Sequence, residues 1–148
     1  MIYLAASFAY EDRHRIEERE VLIEQAKNIL HHKNLSVYLS MGLRIPSAWD
    51  RPFNEGESRV FATDVTVLDY CDIVVVLSFG KENNSEAAWE VDYACAKKKK
   101  VIVVSMTDEL ESSIIQHSSY VQLKGLEQLE KYDFNKMPMA RNYSGKES

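Results

Sequence analysis

The chain has 148 residues, 45% of them hydrophobic, and a formal net charge of −5. That length allows a proper hydrophobic core, and residues 1–148 are expected to form a single domain without an accessory module. The acidic balance argues against a binder of nucleic-acid backbones, whose affinity draws on clustered Lys and Arg.

The one basic run, Lys97 to Lys100, falls between a helix pattern and a strand pattern, where cations suit a helix C-terminus. Cys71 and Cys95 have no metal-ligand spacing around them. Buried free thiols in a reducing compartment are therefore expected, rather than a disulfide framework or a zinc site. The N-terminal "MIYLAASFAYEDRHR" carries a brief apolar run and then charges, which is neither a signal segment nor a membrane span. These features lead to the expectation of a soluble cytoplasmic protein with no membrane or nucleic-acid partner.

In chain order, "IYLAA" (Ile2–Ala6) is a continuous apolar run of the kind buried on both faces of a sheet. In "YEDRHRIEEREVLIEQAKNILHH", Ile16, Ile23, Ala26 and Leu30 recur at helical spacing, widened by Leu22 and Ile29. "LSVYL" gives a second strand. Residues 40–56 carry Gly42, Pro46 and Pro52 and predict a long irregular loop, of a length that is uncommon in compact domains and usually functional. Trp49 and Phe53 in that loop cap either a pocket or the edge of the core.

"SRVFATDVTVLDYC" repeats Phe61, Val65 and Leu68 at helical intervals, and "DIVVVLSF" is the most strand-like run of all. "NNSEAAWEVDYACA" follows as a helix whose Ala87, Ala88, Val91, Ala94 and Cys95 permit close packing. "VIVVSM", a fifth strand around "YVQL" and a short helix near 126–131 complete the alternation. Such alternation implies a flavodoxin-like α/β fold, a doubly wound, five-stranded parallel sheet with helices on both faces. The tail from about 135 to 148 is irregular, but Met137, Met139 and Tyr143 equip it to dock on a neighbouring subunit.

Ligands of such sheets sit beyond the carboxyl ends of the strands, which directs attention to residues 6–10, the loop after Leu39 and residues 80–90. No GxGxxG or GxxxxGK[ST] occurs, and no glycine lies between Lys81 and Lys124, so a dinucleotide or nucleotide triphosphate site is disfavoured. The acids of a phosphoacceptor domain and the GxSxG elbow of a serine hydrolase are missing too. His14, His31, His32 and His117 sit in polar contexts and read as solvated. Acid chemistry remains. Asp64 precedes the central strand and Glu90 follows it, and two carboxylates around one sugar serve glycosyl transfer. The pairing is not selective by itself among 23 acidic residues. Most helical carboxylates face solvent, and Glu90, Asp92 and Asp64 are all open to that simpler reading.

The segments "IYLAASF", "ATDVTVLDYCDIVVVL" and "SEAAWEVDYACAKKKKVIVV" resemble, in order and spacing, the nucleoside 2-deoxyribosyltransferases. The most specific part is "AWE" followed two residues later by "YA". The resemblance implies transfer of a 2-deoxyribosyl group between purine or pyrimidine bases through a covalent intermediate on Glu90. It gives Asp64 the role of shuttling the proton and holding the sugar. Tyr3 would orient the Glu90 carboxylate and crowd a ribose 2-hydroxyl, while Phe8 would line the base pocket beside Trp89. It also implies a homo-oligomer, a dimer or an assembly of dimers, with Asn142 or Tyr143 of a neighbouring subunit completing the pocket. No cofactor and no metal are implied.

Where the family has an acid and a glycine loop before the Trp-Glu pair, this chain has Asn84, Ser85, Glu86 and Ala87. Asn84 would hydrogen-bond the sugar 5-hydroxyl without adding charge. Glu86 suits the helix N-terminus but repels a 5-phosphate, which favours nucleosides over nucleotides. Two alternatives stay open: an N-glycosidase that hydrolyses nucleosides or their 5-monophosphates, and a non-catalytic nucleoside-sensing or scaffold module.

Overall fold

The computed structural model describes residues 1–6, 13–40, 55–79, 85–107 and 119–136. Their elements run β1 (Ile2–Ala6), α1 (Arg13–His32), β2 (Val37–Leu39), α2 (Glu55–Tyr70), β3 (Ile73–Ser78), α3 (Ser85–Ala96), β4 (Lys100–Ser105), β5 (Val121–Lys124) and α4 (Gly125–Lys131), with a 3-10 turn at Phe134–Lys136. Each element predicted from the sequence is present, with ends displaced by a few residues. The expected loop, Trp49 and Phe53 fall largely or wholly outside the described residues.

All strand pairs are parallel and the order is β2-β1-β3-β4-β5. The chain therefore steps outward from β1 in both directions, the flavodoxin-like arrangement expected from the alternation of elements. Strand side chains alternate between faces, and the core divides accordingly. Ile2, Leu4, Val75, Leu77, Ile102 and Val104 meet Ile23, Ala26 and Leu30 of α1 and Leu129 of α4. On the opposite face, Tyr3, Ala5, Val74, Val76, Val101 and Val103 meet Leu68 of α2 and Val91 and Ala94 of α3. This second face carries the acids of interest. Burial of β1, β3 and β4 from both sides explains why each reads as an unbroken apolar run.

Two helices end in the same way. At α1, the Asn34 amide bonds the His31 carbonyl and the Leu35 amide bonds that of Leu30, while Asn34 takes φ of 62°. At α3, the Lys98 amide bonds Cys95 and the Lys99 amide bonds Ala94, with Lys98 at φ of 60°. Both are Schellman closures, which ask for a left-handed residue that Asn tolerates better than Lys.

The basic run lies where the sequence placed it, after α3. Lys99 Nζ bonds the Asp69 carbonyl at the end of α2, at 2.9 Å, and Lys100 begins β4. Cys71 is buried and Cys95 half-buried, and the two are not joined in a disulfide. His31 and His32 are exposed, as expected of solvated histidines, whereas the side chains of His14 and His117 are outside the described set. Among the described residues, no helix is long and apolar enough to cross a membrane.

Candidate functional site

Three neighbouring elements bring the site together. Tyr3, second residue of β1, has Tyr38 of β2 as its register partner on one side and Val74 of β3 on the other. Because β2 lies at the sheet edge and alternates faces, Tyr38 is the one residue of that three-residue strand on the side of α2 and α3. Val37 and Leu39 pack on the other face. The Tyr3 and Tyr38 rings lie 5.5 Å apart and tilted by 34°, within the range of favourable aromatic pairs.

Each phenol donates to a carboxylate. The Tyr3 hydroxyl donates to Glu90 Oε2 of α3, and the Tyr38 hydroxyl donates to Asp64 Oδ1 of α2 at 3.2 Å. Glu90 is 4% exposed and Asp64 1%. These values exclude the simpler alternative that both face solvent, since a carboxylate shielded from water needs hydrogen-bond donors and here finds them on the sheet. Asp92, two positions beyond Glu90, is exposed. One helix thus sends one acid inward and the other to solvent.

Burial, followed by the negative charges of Glu90 and Asp64, pushes the Tyr3 phenol far above its ordinary range. Tyr3 is therefore a neutral donor at any working pH, suited to holding an ionised carboxylate. Small side chains set the distance: Ala94, one turn beyond Glu90, is fully buried against the sheet and lets α3 approach closely. Trp89 is half-buried and packs against the same cluster.

Of the residues singled out in the sequence, the structure unites Tyr3, Asp64, Glu90 and Trp89 on one face. Phe8, Asn84, Asn142 and Tyr143 lie outside the described residues. Tyr38 was read only as part of a strand. The alternation of "VYL" gives that face a single side chain, but the pairing of β2 with β1 that brings it to Asp64 leaves no local signal in the sequence. A cavity of about 280 Å³ lined by Lys33, Leu35, Lys131, Tyr132, Asp133, Phe134 and Asn135 belongs with the α1 and α4 side, where Leu35, Tyr132 and Phe134 pack. The sheet separates it from the two acids. Among the described residues, no three His, Cys, Asp or Glu side chains gather as a metal site.

The chain is similar in fold to a 2-deoxyribosyltransferase from the psychrotolerant bacterium Bacillus psychrosaccharolyticus, with a TM-score of 0.69 and 23% identity over 95% of this chain and 97% of the other. It is also similar to a CMP N-glycosidase of Clostridium botulinum, with a TM-score of 0.58 and 16% identity over 88% and 93% of the two chains. No curated protein matches it in sequence. The model of the nucleoside 2-deoxyribosyltransferases matches residues 2–134, nearly the whole length, and the chain belongs to that family.

Proposed function

We propose that this chain exchanges the base of 2-deoxyribonucleosides through a covalent intermediate on Glu90. The observation that carries the reading is the buried Glu90 carboxylate held by the neutral Tyr3 hydroxyl. In the first half-reaction a Glu90 oxygen bonds to the anomeric carbon as the bond from that carbon to the base nitrogen breaks. The departing base takes the bonding pair and a proton, which Asp64 helps deliver. A second base then attacks the same carbon, gives up a proton and releases Glu90. Leaving group and acceptor both come from the substrates, so the reaction calls for no cofactor.

Phe8 and Trp89 line the base pocket in this reading, Asn84 meets the sugar 5-hydroxyl, and Tyr143 of a neighbouring subunit closes the site of a homo-oligomer. Residues 1–148 act as one domain, with the tail from about 135 docking between subunits. The role is nucleoside salvage in the cytoplasm. The fold neighbours support this reaction class, since one is a 2-deoxyribosyltransferase and the other cleaves a nucleotide's glycosidic bond. A nucleoside is preferred over a 5-monophosphate because Glu86 places a negative charge at the start of α3.

The test incubates thymidine, or deoxyinosine, with adenine and separates the products, beside a Glu90→Ala control and a reaction without adenine. Deoxyadenosine formed only with Glu90 intact, together with a protein mass increased by one deoxyribosyl group, upholds the reading. Free base without new nucleoside would make the protein a hydrolase. Binding without turnover of nucleosides or nucleotides would make it a sensing module.

A further inference from the structure

We infer that Tyr38 is a positioning residue for Asp64, so that each carboxylate of the site is held by its own phenol from one of two adjacent strands. This rests on the base-exchange reading for its catalytic consequence, but the pairing itself stands on geometry. The Tyr38 hydroxyl lies 3.2 Å from Asp64 Oδ1, and Asp64 is 1% exposed. A strand residue whose task was only to cover the core needs no hydroxyl there, and Phe or Leu would fill the same place. The partner strand repeats the arrangement one position across, with Tyr3 donating to Glu90.

The two pairs are electrically connected. Asp64 and Tyr38 both act on the Tyr3 phenol, as does Glu90. The ionisable groups that act with Asp64 include Tyr38 from β2, through its hydrogen bond, and Tyr3 from β1, with Glu90 of α3 beyond Tyr3. Its own helix contributes the apolar Val67 and Leu68 one turn on. A bond from Tyr38 does two things to Asp64. It fixes the plane of a carboxyl group that must pass a proton to the leaving base, and it lowers the pH at which that proton is lost, since a hydrogen bond to the ionised form favours it. Removing it lets the carboxylate rotate and makes it take up a proton at higher pH.

The experiment compares wild type with Tyr38→Phe, Asp64→Asn and the double variant. Phe keeps the ring that lies against Tyr3, so the melting temperature serves as the check on folding, and Tyr38→Leu replaces Phe if that check fails. The expected result for Tyr38→Phe is a fall of about tenfold in kcat/KM for base exchange, carried by kcat. The alkaline limb of the pH profile moves upward, because Asp64 keeps the proton it delivers to a higher pH. In the Asp64→Asn background the same change costs less than about twofold, because coupled residues are not additive. Carbon NMR of labelled aspartate follows the Asp64 carboxyl directly, and its midpoint rises in Tyr38→Phe.

An unmoved Asp64 midpoint overturns the inference, as does an equal loss in the Asp64→Asn background. If wild type turns over no nucleoside, the base-exchange reading fails, and the NMR midpoint alone then decides whether Tyr38 controls Asp64.

Discussion

Tyr3 and Tyr38 are register partners on adjacent parallel strands, and their hydroxyls donate to carboxylates from two different helices. A parallel sheet covered by helices is normally apolar throughout. Here two neighbouring positions on one face carry phenols. Their polar ends reach from the strand layer to Glu90 and Asp64. Consequently the placement of the acids depends on the register of β1 against β2 as much as on the helices that carry them.

Substituting Tyr3→Phe keeps the packing of a fully buried ring and deletes one donor to Glu90. Hydrogen bonds to charged groups contribute about 1.5–3 kcal/mol, so kcat/KM for base exchange should fall about 10–100-fold. The acid limb of the profile should move to higher pH, because a carboxylate with one donor fewer ionises less readily. Steady-state rates across pH for both proteins check this. A Tyr3→Phe enzyme with unchanged rate and profile would remove Tyr3 from the mechanism.

The raised Tyr3 phenol also makes a prediction about stability. Its ordinary value near 10 applies to the unfolded chain, and the folded value is higher because burial and the nearby acids disfavour the phenolate. The folded state then retains the proton above pH ~10 while the unfolded state releases it, so stability falls as pH rises. The contribution is fully present below pH ~10 and is lost progressively above it. Urea unfolding between pH 8 and pH 11, values chosen to bracket the roughly pH 10 onset, should show a steeper alkaline loss for wild type than for Tyr3→Phe.

Lys98 takes φ of 60° at the end of α3, a conformation that costs a side-chain-bearing residue about 1 kcal/mol relative to glycine. Lys98→Gly should therefore raise the midpoint of urea unfolding, by up to about 1 kcal/mol in stability. Base exchange should be unchanged, since the residue lies two turns beyond Glu90 at the other end of the helix. Asn34, in the same position of the α1 closure, should gain less from glycine because asparagine already tolerates the left-handed region.

The strands and helices were legible because their signals are local. β1, β3 and β4 are apolar at consecutive positions, and α1 repeats Ile23, Ala26 and Leu30 at helical spacing. The inward turn of Glu90 was less accessible. Glu90 and Asp92 sit in one helix two residues apart, and only the docking of α3 on the sheet decides which is buried. Tyr38 shows the further limit. Its bond to Asp64 joins positions 26 apart in sequence, and it exists because β2 pairs with β1 in one particular register. Neither partner has a local pattern that reveals the other.

Ala94 tests whether the approach of α3 sets the site. It is fully buried between the helix and the sheet, beside Val91 and opposite Val101 and Val103. Replacing it with Leu inserts three carbons where no space is available, and overpacking of this kind costs about 1–3 kcal/mol. The helix can relieve the strain only by moving outward, which withdraws Glu90 from the Tyr3 hydroxyl. Ala94→Leu should thus lose activity beyond its loss of stability, with kcat reduced at a temperature where the protein remains folded. Ala94→Gly, which removes volume and weakens the helix by about 1 kcal/mol, should destabilise comparably while retaining far more activity. Thermal melting and base-exchange rates for the pair separate helix position from stability, and equal activity losses would show that the close approach of α3 is not what aligns Glu90.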